Sequence, residues 1–150
     1  HEMPENRILI IGLDNAGKTT LTQRLLKLFK QQNLIQTSII PTIGIETYNF
    51  KILYQQYKIF DLGGSGRFRS MWEFYSSEAT HIVIVVDGTD NSRLFVIRDQ
   101  LQSLYQNMKK QAQKILIVCN KKDVQEFIPF EKIEQACRFA GIFKELNIRG

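Results

Sequence analysis

The chain holds little sulfur, no long apolar run and no concentrated charge, and each shortage excludes a class of protein. Its 150 residues include only two cysteines, Cys119 and Cys137. Cys119 closes an apolar run and Cys137 falls in a helical pattern. Both read as small buried hydrophobes rather than a disulfide framework, which fits a reducing compartment. No apolar stretch approaches the roughly 18–20 residues that a bilayer-spanning helix needs, and no signal-peptide layout is present. Cytoplasm is the expected location. Repeats and low-complexity tracts are missing as well. The formal net charge is +5, yet the basic residues are scattered, with adjacent pairs only at Lys109-Lys110 and Lys121-Lys122. A solvated basic face is expected, and no nucleic-acid partner. What remains, at 43% hydrophobic and 23% charged residues, is the composition of one ordinary globular domain with a sizeable core.

The chain is organised around Gly12-Leu13-Asp14-Asn15-Ala16-Gly17-Lys18-Thr19-Thr20. Ile8 to Ile11 before it form a short, continuous apolar run that reads as a buried parallel strand. Leu21, Leu25 and Leu28 after it recur at helical spacing. Between strand and helix, residues 12–19 fit the P-loop pattern G-x-x-x-x-G-K-S/T. A glycine-bearing strand-to-helix turn could carry the same letters without function. The flanking strand and helix favour phosphate binding instead. Glycines allow a tight turn whose N–H groups point inward at an anion, and the positive end of the helix faces the same spot. Lys18 adds a mobile charge for the outer phosphates, and the Thr19 hydroxyl is placed for Mg²⁺.

Arg7 to Ile11 reads as the first strand and Lys18 to about Gln31 as the first helix. Thr37 to Gly44 reads as a loop around Pro41. Ile45 to Leu53 and Gln56 to Leu62 read as a hairpin, its first strand half exposed. The aromatic stretch Arg67 to Tyr75 leaves Trp72 with two readings, core packing under a short helix or a partner-facing patch. Ile82 to Val86 reads as a buried strand ending at Asp87-Gly88. Ser92 reads as the cap of a helix reaching about Lys110, with Leu94, Ile97, Leu101, Leu104 and Met108 on one face. Ile115 to Cys119 reads as another buried strand, Phe130 to Ala140 as a helix closed by Gly141, and Glu145 to Ile148 as the opening of one more strand. This alternation predicts an α/β fold, a mostly parallel sheet with helices on both faces and ligands beyond the carboxyl ends of its strands.

Two further motifs stand at those ends. Asp61, in Asp61-Leu62-Gly63-Gly64, can hold Mg²⁺ through its water shell, and Gly64 can bring a backbone N–H against a γ-phosphate. Asn120-Lys121-Lys122-Asp123 places a carboxylate where it can accept hydrogen bonds from the N1–H and 2-amino group of guanine. Adenine offers neither donor, and a buried carboxylate left unpaired costs about 1–3 kcal/mol or more. Lys121 would lay its stem along the base, and Asn120 would tie this loop to the P-loop.

With these motifs in order, the chain resembles a small GTPase of the Arf and Arf-like family over nearly its whole length. The residues that carry the resemblance are Gly12 to Thr20, Pro41-Thr42-Ile43-Gly44, Asp61 to Gly64 and Asn120 to Asp123. The Gly66 to Glu73 stretch is most similar to the ciliary, Bardet–Biedl-associated branch. The resemblance implies a single G domain over residues 1–150, with one antiparallel strand in its sheet. It implies GTP or GDP and Mg²⁺ as ligands. The nucleotide would be held by Asp14, Asn15, Ala16, Gly17, Lys18, Thr19, Thr20, Thr42, Gly64, Asn120, Lys121 and Asp123. The metal would be held by Thr19, Thr42 and, through water, Asp61. The catalytic set would be Lys18, Thr42, Gly64 and Ser65, with Thr42 and Gly64 closing on the γ-phosphate only in the GTP state. Effectors, exchange factors and GTPase-activating proteins are the implied partners, membrane or ciliary trafficking the implied setting, and a monomer the expected state.

The chain departs from the family's pattern at several positions. Ser65 stands where the family usually has the glutamine that orients the attacking water. Serine is too short for that reach, so intrinsic hydrolysis is expected to be weak. This keeps open a rival reading, a GTP-binding adaptor with little hydrolysis, whereas an ATP-using P-loop enzyme is disfavoured by Asp123. Phe60 replaces the usual tryptophan and Ile45 a common phenylalanine, leaving Tyr75 as the retained aromatic. No counterpart of the family's amphipathic N-terminal helix precedes Arg7, and the chain stops at Gly150 before the family's final helix. Peripheral membrane attachment is thus an expectation from kinship, and loose nucleotide binding an expectation for this stretch alone.

Overall fold

In the computed structural model the described residues are 5–31, 38–42, 45–52, 54–63, 66–108 and 113–143, with side chains omitted at 38–42, 66–69 and 107. They form a six-stranded sheet in the order β2-β3-β4-β1-β5-β6. The strands are β1 (Glu5–Ile11), β2 (Ser38–Thr42), β3 (Ile45–Ile52), β4 (Gln55–Leu62), β5 (His81–Asp87) and β6 (Lys114–Asn120). β1 pairs in parallel with β4 and β5, and β5 with β6. β3 runs antiparallel to both β2 and β4, so one reversed strand sits in an otherwise parallel sheet, as expected.

The helices are α1 (Lys18–Gln31), α2 (Gly66–Glu78), α3 (Leu94–Asn107), α4 (Phe130–Cys137) and the single turn α5 (Phe139–Ile142). The continuous apolar strands split by their period of two. Leu9, Ile11, Ile82, Ile84 and Val86 join the core beneath α2, α3, α4 and α5. Ile10, Ile59 and Val85 join Tyr48, Phe50 and Leu26 of α1 on the opposite face. Each side of β1 and β5 is therefore covered, which is why neither strand alternates polar with apolar. On the α1 side Phe50 stacks on Tyr57, ring centroids 5.1 Å apart.

Several expectations change here. Residues 38–42 form an edge strand rather than a loop. Pro41 is tolerated because β2, among the described residues, pairs only with β3. Ile115 to Cys119 is not a fully buried strand, because β6 pairs only with β5 among the described residues and Leu116 is 59% exposed. Ser92 caps nothing. It lies in a 3-10 turn (Asn91–Arg93), and its hydroxyl donates to Asp90 Oδ1 at 2.9 Å. The five apolar positions named for α3 are all buried. The helix after Phe130 breaks at Arg138, whose φ of 54° is left-handed, rather than at Gly141, which lies inside α5. The strand expected at 145–148 lies outside the described residues.

Trp72 belongs to the core, at 4% exposure. Its Nε1–H has no acceptor among the described residues. Trp72→Ala should therefore cost about 3–5 kcal/mol, whereas Trp72→Phe, which removes the unpaired donor along with some volume, should cost far less. Thermal melting of the two variants checks this, and equal losses would contradict it.

Candidate nucleotide site

The phosphate loop begins where β1 meets β5. A Cβ on Gly12 would come 2.5 Å from the Val85 carbonyl oxygen, so no larger residue fits this close approach of backbones. The loop then turns through Asn15 at φ 65° and Gly17 at φ 88°. The Ala16 N–H donates to Leu13 O at 3.2 Å and the Leu21 N–H to Gly17 O at 2.9 Å, closing the turn onto α1. Leu13 to Thr20 line an open cavity at the helix N-terminus, the place where unpaired N–H groups and the helix dipole favour an anion.

Lys18 opens α1 and is nearly buried, as is Asp61 at the end of β4. Lys18 Nζ lies 3.2 Å from Asp61 Oδ1, and the Thr19 hydroxyl donates to Asp61 Oδ2 at 3.1 Å. Burial raises the Asp61 carboxyl above the usual carboxylate range, against the opposing pull of Lys18 and Thr19. Oδ1 is buried without an aligned hydrogen-bond donor. A desolvated carboxylate beside a hydroxyl oxygen suits a hard divalent cation. No group of three or more His, Cys, Asp or Glu side chains forms a cage among the described residues. Asp61→Ala should remove most of the Mg²⁺ dependence of nucleotide affinity, read by titrating Mg²⁺ against bound nucleotide. An unchanged titration would exclude Asp61 from the metal site.

The second loop is held against the first. At the adjacent ends of β5 and β6, Asp87 lies beside Asn120. Asn120 Nδ2 donates to Ala16 O at 3.0 Å, which is the tie foreseen for it. Lys121, at φ 68°, donates from Nζ to Asn15 O and to Asp87 Oδ2, both at 2.7 Å. Burial works to raise the Asp87 carboxyl, but hydrogen bonds from Lys121 and Thr89 outweigh it and hold the group below its usual range. That pair's contribution is therefore complete near neutrality and is lost only as pH falls below the ordinary aspartate value, about 4. Asp123 follows on an exposed turn closed by the Val124 N–H on Lys121 O at 3.1 Å. Its carboxylate has no partner among the described residues. Asp123 is thus exposed, rather than buried as the expectation had it.

Among the described residues, those expected to meet phosphate, metal and base fall at one end of the sheet, beyond the carboxyl ends of β1, β4 and β6. Gly64 and Ser65 lie outside the described residues, and of Thr42 only the backbone in β2 is described. Two residues escaped the sequence reading. Asp87 carried a usable signal, an acid at the carboxyl end of a buried strand. Arg93 carried none. It reaches Asp14 across 79 residues, with Nη1 on Oδ1 at 2.8 Å and Nη2 on Asp14 O at 2.9 Å.

Comparison with known proteins agrees with this geometry. A model of the ADP-ribosylation factor family matches residues 1–148. The chain is 34% identical over 133 residues to ADP-ribosylation factor-like protein 6 of Danio rerio, spanning 87% of this chain and 69% of that protein. It is 33% identical over 138 residues to ADP-ribosylation factor-like protein 5A of Homo sapiens, spanning 92% of this chain and 74% of that one. Among solved structures it is similar to the Arl6 BBS3 small GTPase of Trypanosoma brucei with bound nucleotide analogue GppNp. The TM-score is 0.74 at 22% identity, covering 93% of this chain and 80% of the other. That last likeness is one of fold.

Proposed function

Because this chain belongs to the ADP-ribosylation factor family and is thus a GTP-binding switch, we propose that it cycles slowly between GTP and GDP with Mg²⁺ to regulate membrane or ciliary trafficking. The observation that carries the reading is the joining of two loops far apart in sequence. Asn120 and Lys121 grip the phosphate loop at Ala16 and Asn15 and leave the Asp123 carboxylate free for a base. Only a base bearing two adjacent donors, as guanine does, satisfies that carboxylate. Lys18 and the inward N–H groups of Asp14 to Thr20 hold the phosphates. Thr19 and Asp61, with Thr42, hold Mg²⁺, which when bound neutralises phosphate charge. Thr42 and Gly64 sense the γ-phosphate and pass its presence to effectors, while exchange factors and GTPase-activating proteins set the cycle. The protein acts as a monomer in the cytoplasm, with peripheral attachment to membrane. Among the described residues no helix is long and apolar enough to cross one.

Ser65 favours slow hydrolysis, because a serine hydroxyl cannot reach the water that a glutamine amide would orient. It also favours a second reading, a GTP-binding adaptor that hydrolyses almost nothing. The test is to denature the purified protein, identify the nucleotide released, and time the loss of γ-phosphate from loaded GTP. Guanine nucleotide and a rate below the ~10⁻⁴–10⁻³ s⁻¹ of unassisted Ras are expected, with Ser65→Gln faster. A Ser65→Gln variant no faster than the parent would count against the role of Ser65. Released adenine nucleotide would overturn the reading as a whole.

A further inference from the structure

We infer that Arg93 is a specificity-determining residue of this site: it cancels the charge that Asp14 places in the phosphate loop and so lets the loop accept a nucleoside triphosphate as well as a diphosphate. The inference rests on the nucleotide-binding reading above and adds to it a residue in the turn between β5 and α3.

A loop that holds a polyanion with inward N–H groups is a poor place for a free carboxylate, since like charges a few ångströms apart repel strongly where water is partly excluded. Asp14 sits third in that loop, lines the same cavity as Lys18 and Thr19, and has a side chain 49% exposed. Arg93 answers it with the fork of its guanidinium. Nη1 donates to the carboxylate at 2.8 Å, and Nη2 donates to the carbonyl oxygen of the same residue at 2.9 Å. Asp90 accepts from Nε at 2.6 Å, which turns the two terminal nitrogens toward the loop and leaves the extra negative charge on the far side. The carbonyl contact also orients the peptide that leads into Asn15 and its left-handed backbone. Lysine would supply the charge without the fork. A triphosphate carries more negative charge than a diphosphate, so losing the Arg93 charge beside Asp14 penalises it more.

The experiment measures dissociation constants for GDP and for GppNp, in Mg²⁺ at low and high salt. The proteins are the wild type, Arg93→Gln, Arg93→Lys, Asp14→Asn and the Arg93→Gln/Asp14→Asn double variant. Arg93→Gln should weaken GppNp about five- to tenfold more than GDP, with the difference shrinking at high salt. Arg93→Lys should recover part of it, and adding Asp14→Asn to Arg93→Gln should restore the ratio. Asp14→Asn alone, which removes a negative charge from the loop while Arg93 keeps its pair with Asp90, should move the ratio toward the triphosphate, a readout that survives even if Arg93→Gln folds poorly. Equal losses for both nucleotides, or a ratio that Asp14→Asn fails to move, would make Arg93 a structural strut and overturn the inference alone. A wild type that binds neither nucleotide overturns the functional reading and this inference together.

Discussion

Asp123→Asn should weaken GTP and GDP binding about 10²- to 10⁴-fold while raising affinity for xanthine nucleotides. The carboxylate offers two acceptors, matched to the N1–H and 2-amino donors of guanine. An amide exchanges one acceptor for a donor, which then points at the 2-amino group. Xanthine carries an oxygen at that position, so the new donor finds a partner. The fold should be indifferent, because Asp123 is exposed and the turn is held by the Val124 N–H on Lys121 O rather than by its side chain. A melting temperature close to the parent's, with a large loss in guanine-nucleotide competition binding, is the expected pair of results. An unchanged affinity would mean that Asp123 does not read the base.

Gly17→Ala should damage both the loop and the tie that holds it. The φ of 88° is left-handed, and a Cβ there costs about 1–2 kcal/mol. The same Cβ would stand 2.5 Å from Asn120 Nδ2, displacing the amide from Ala16 O at a further cost of about 1 kcal/mol. For a domain of this size the two together lower the melting temperature by about 5–10 °C. Nucleotide affinity should fall further, about a hundredfold, because the N–H cradle exists only in the left-handed turn and each misdirected donor leaves phosphate charge unpaired. Asn120→Ala separates the effects: it loses the hydrogen bond but keeps the turn, and should be the milder variant. If Gly17→Ala bound nucleotide as tightly as the parent, this loop would not be the phosphate site.

The phosphate loop was legible because its chemistry is spelled in consecutive residues. Gly12, Gly17, Lys18 and Thr19 each have one physical job, and a strand and a helix on either side complete the pattern. The tie from Asn120 to the phosphate loop was legible for the same reason, Asn120 and Asp123 standing three residues apart at a strand end. Errors fell where the surroundings decide. Pro41 suggested a loop until an edge position removed the need for its missing N–H. Cys119 and Leu116 suggested a buried strand until β6 proved to pair on one side only among the described residues. Gly141 suggested a helix end that Arg138 supplies, adopting a left-handed backbone that glycine would have taken more cheaply.

Covalent spacing alone accounts for the P-loop, the loop at 120–123, the two-faced strands and the order of elements, since each depends on neighbours within a turn or a strand. Spatial neighbours account for the rest. Trp72 enters the core only because α2 lies over the sheet, and Asp87 meets Lys121, 34 residues away, only because β5 and β6 are adjacent. Arg93 finds Asp14 across 79 residues because β1 and β5 pair in parallel and deliver their loops to the same end of the sheet. Such contacts depend on which strands become neighbours, a choice made by the burial of the whole apolar surface and written in no single stretch of the chain.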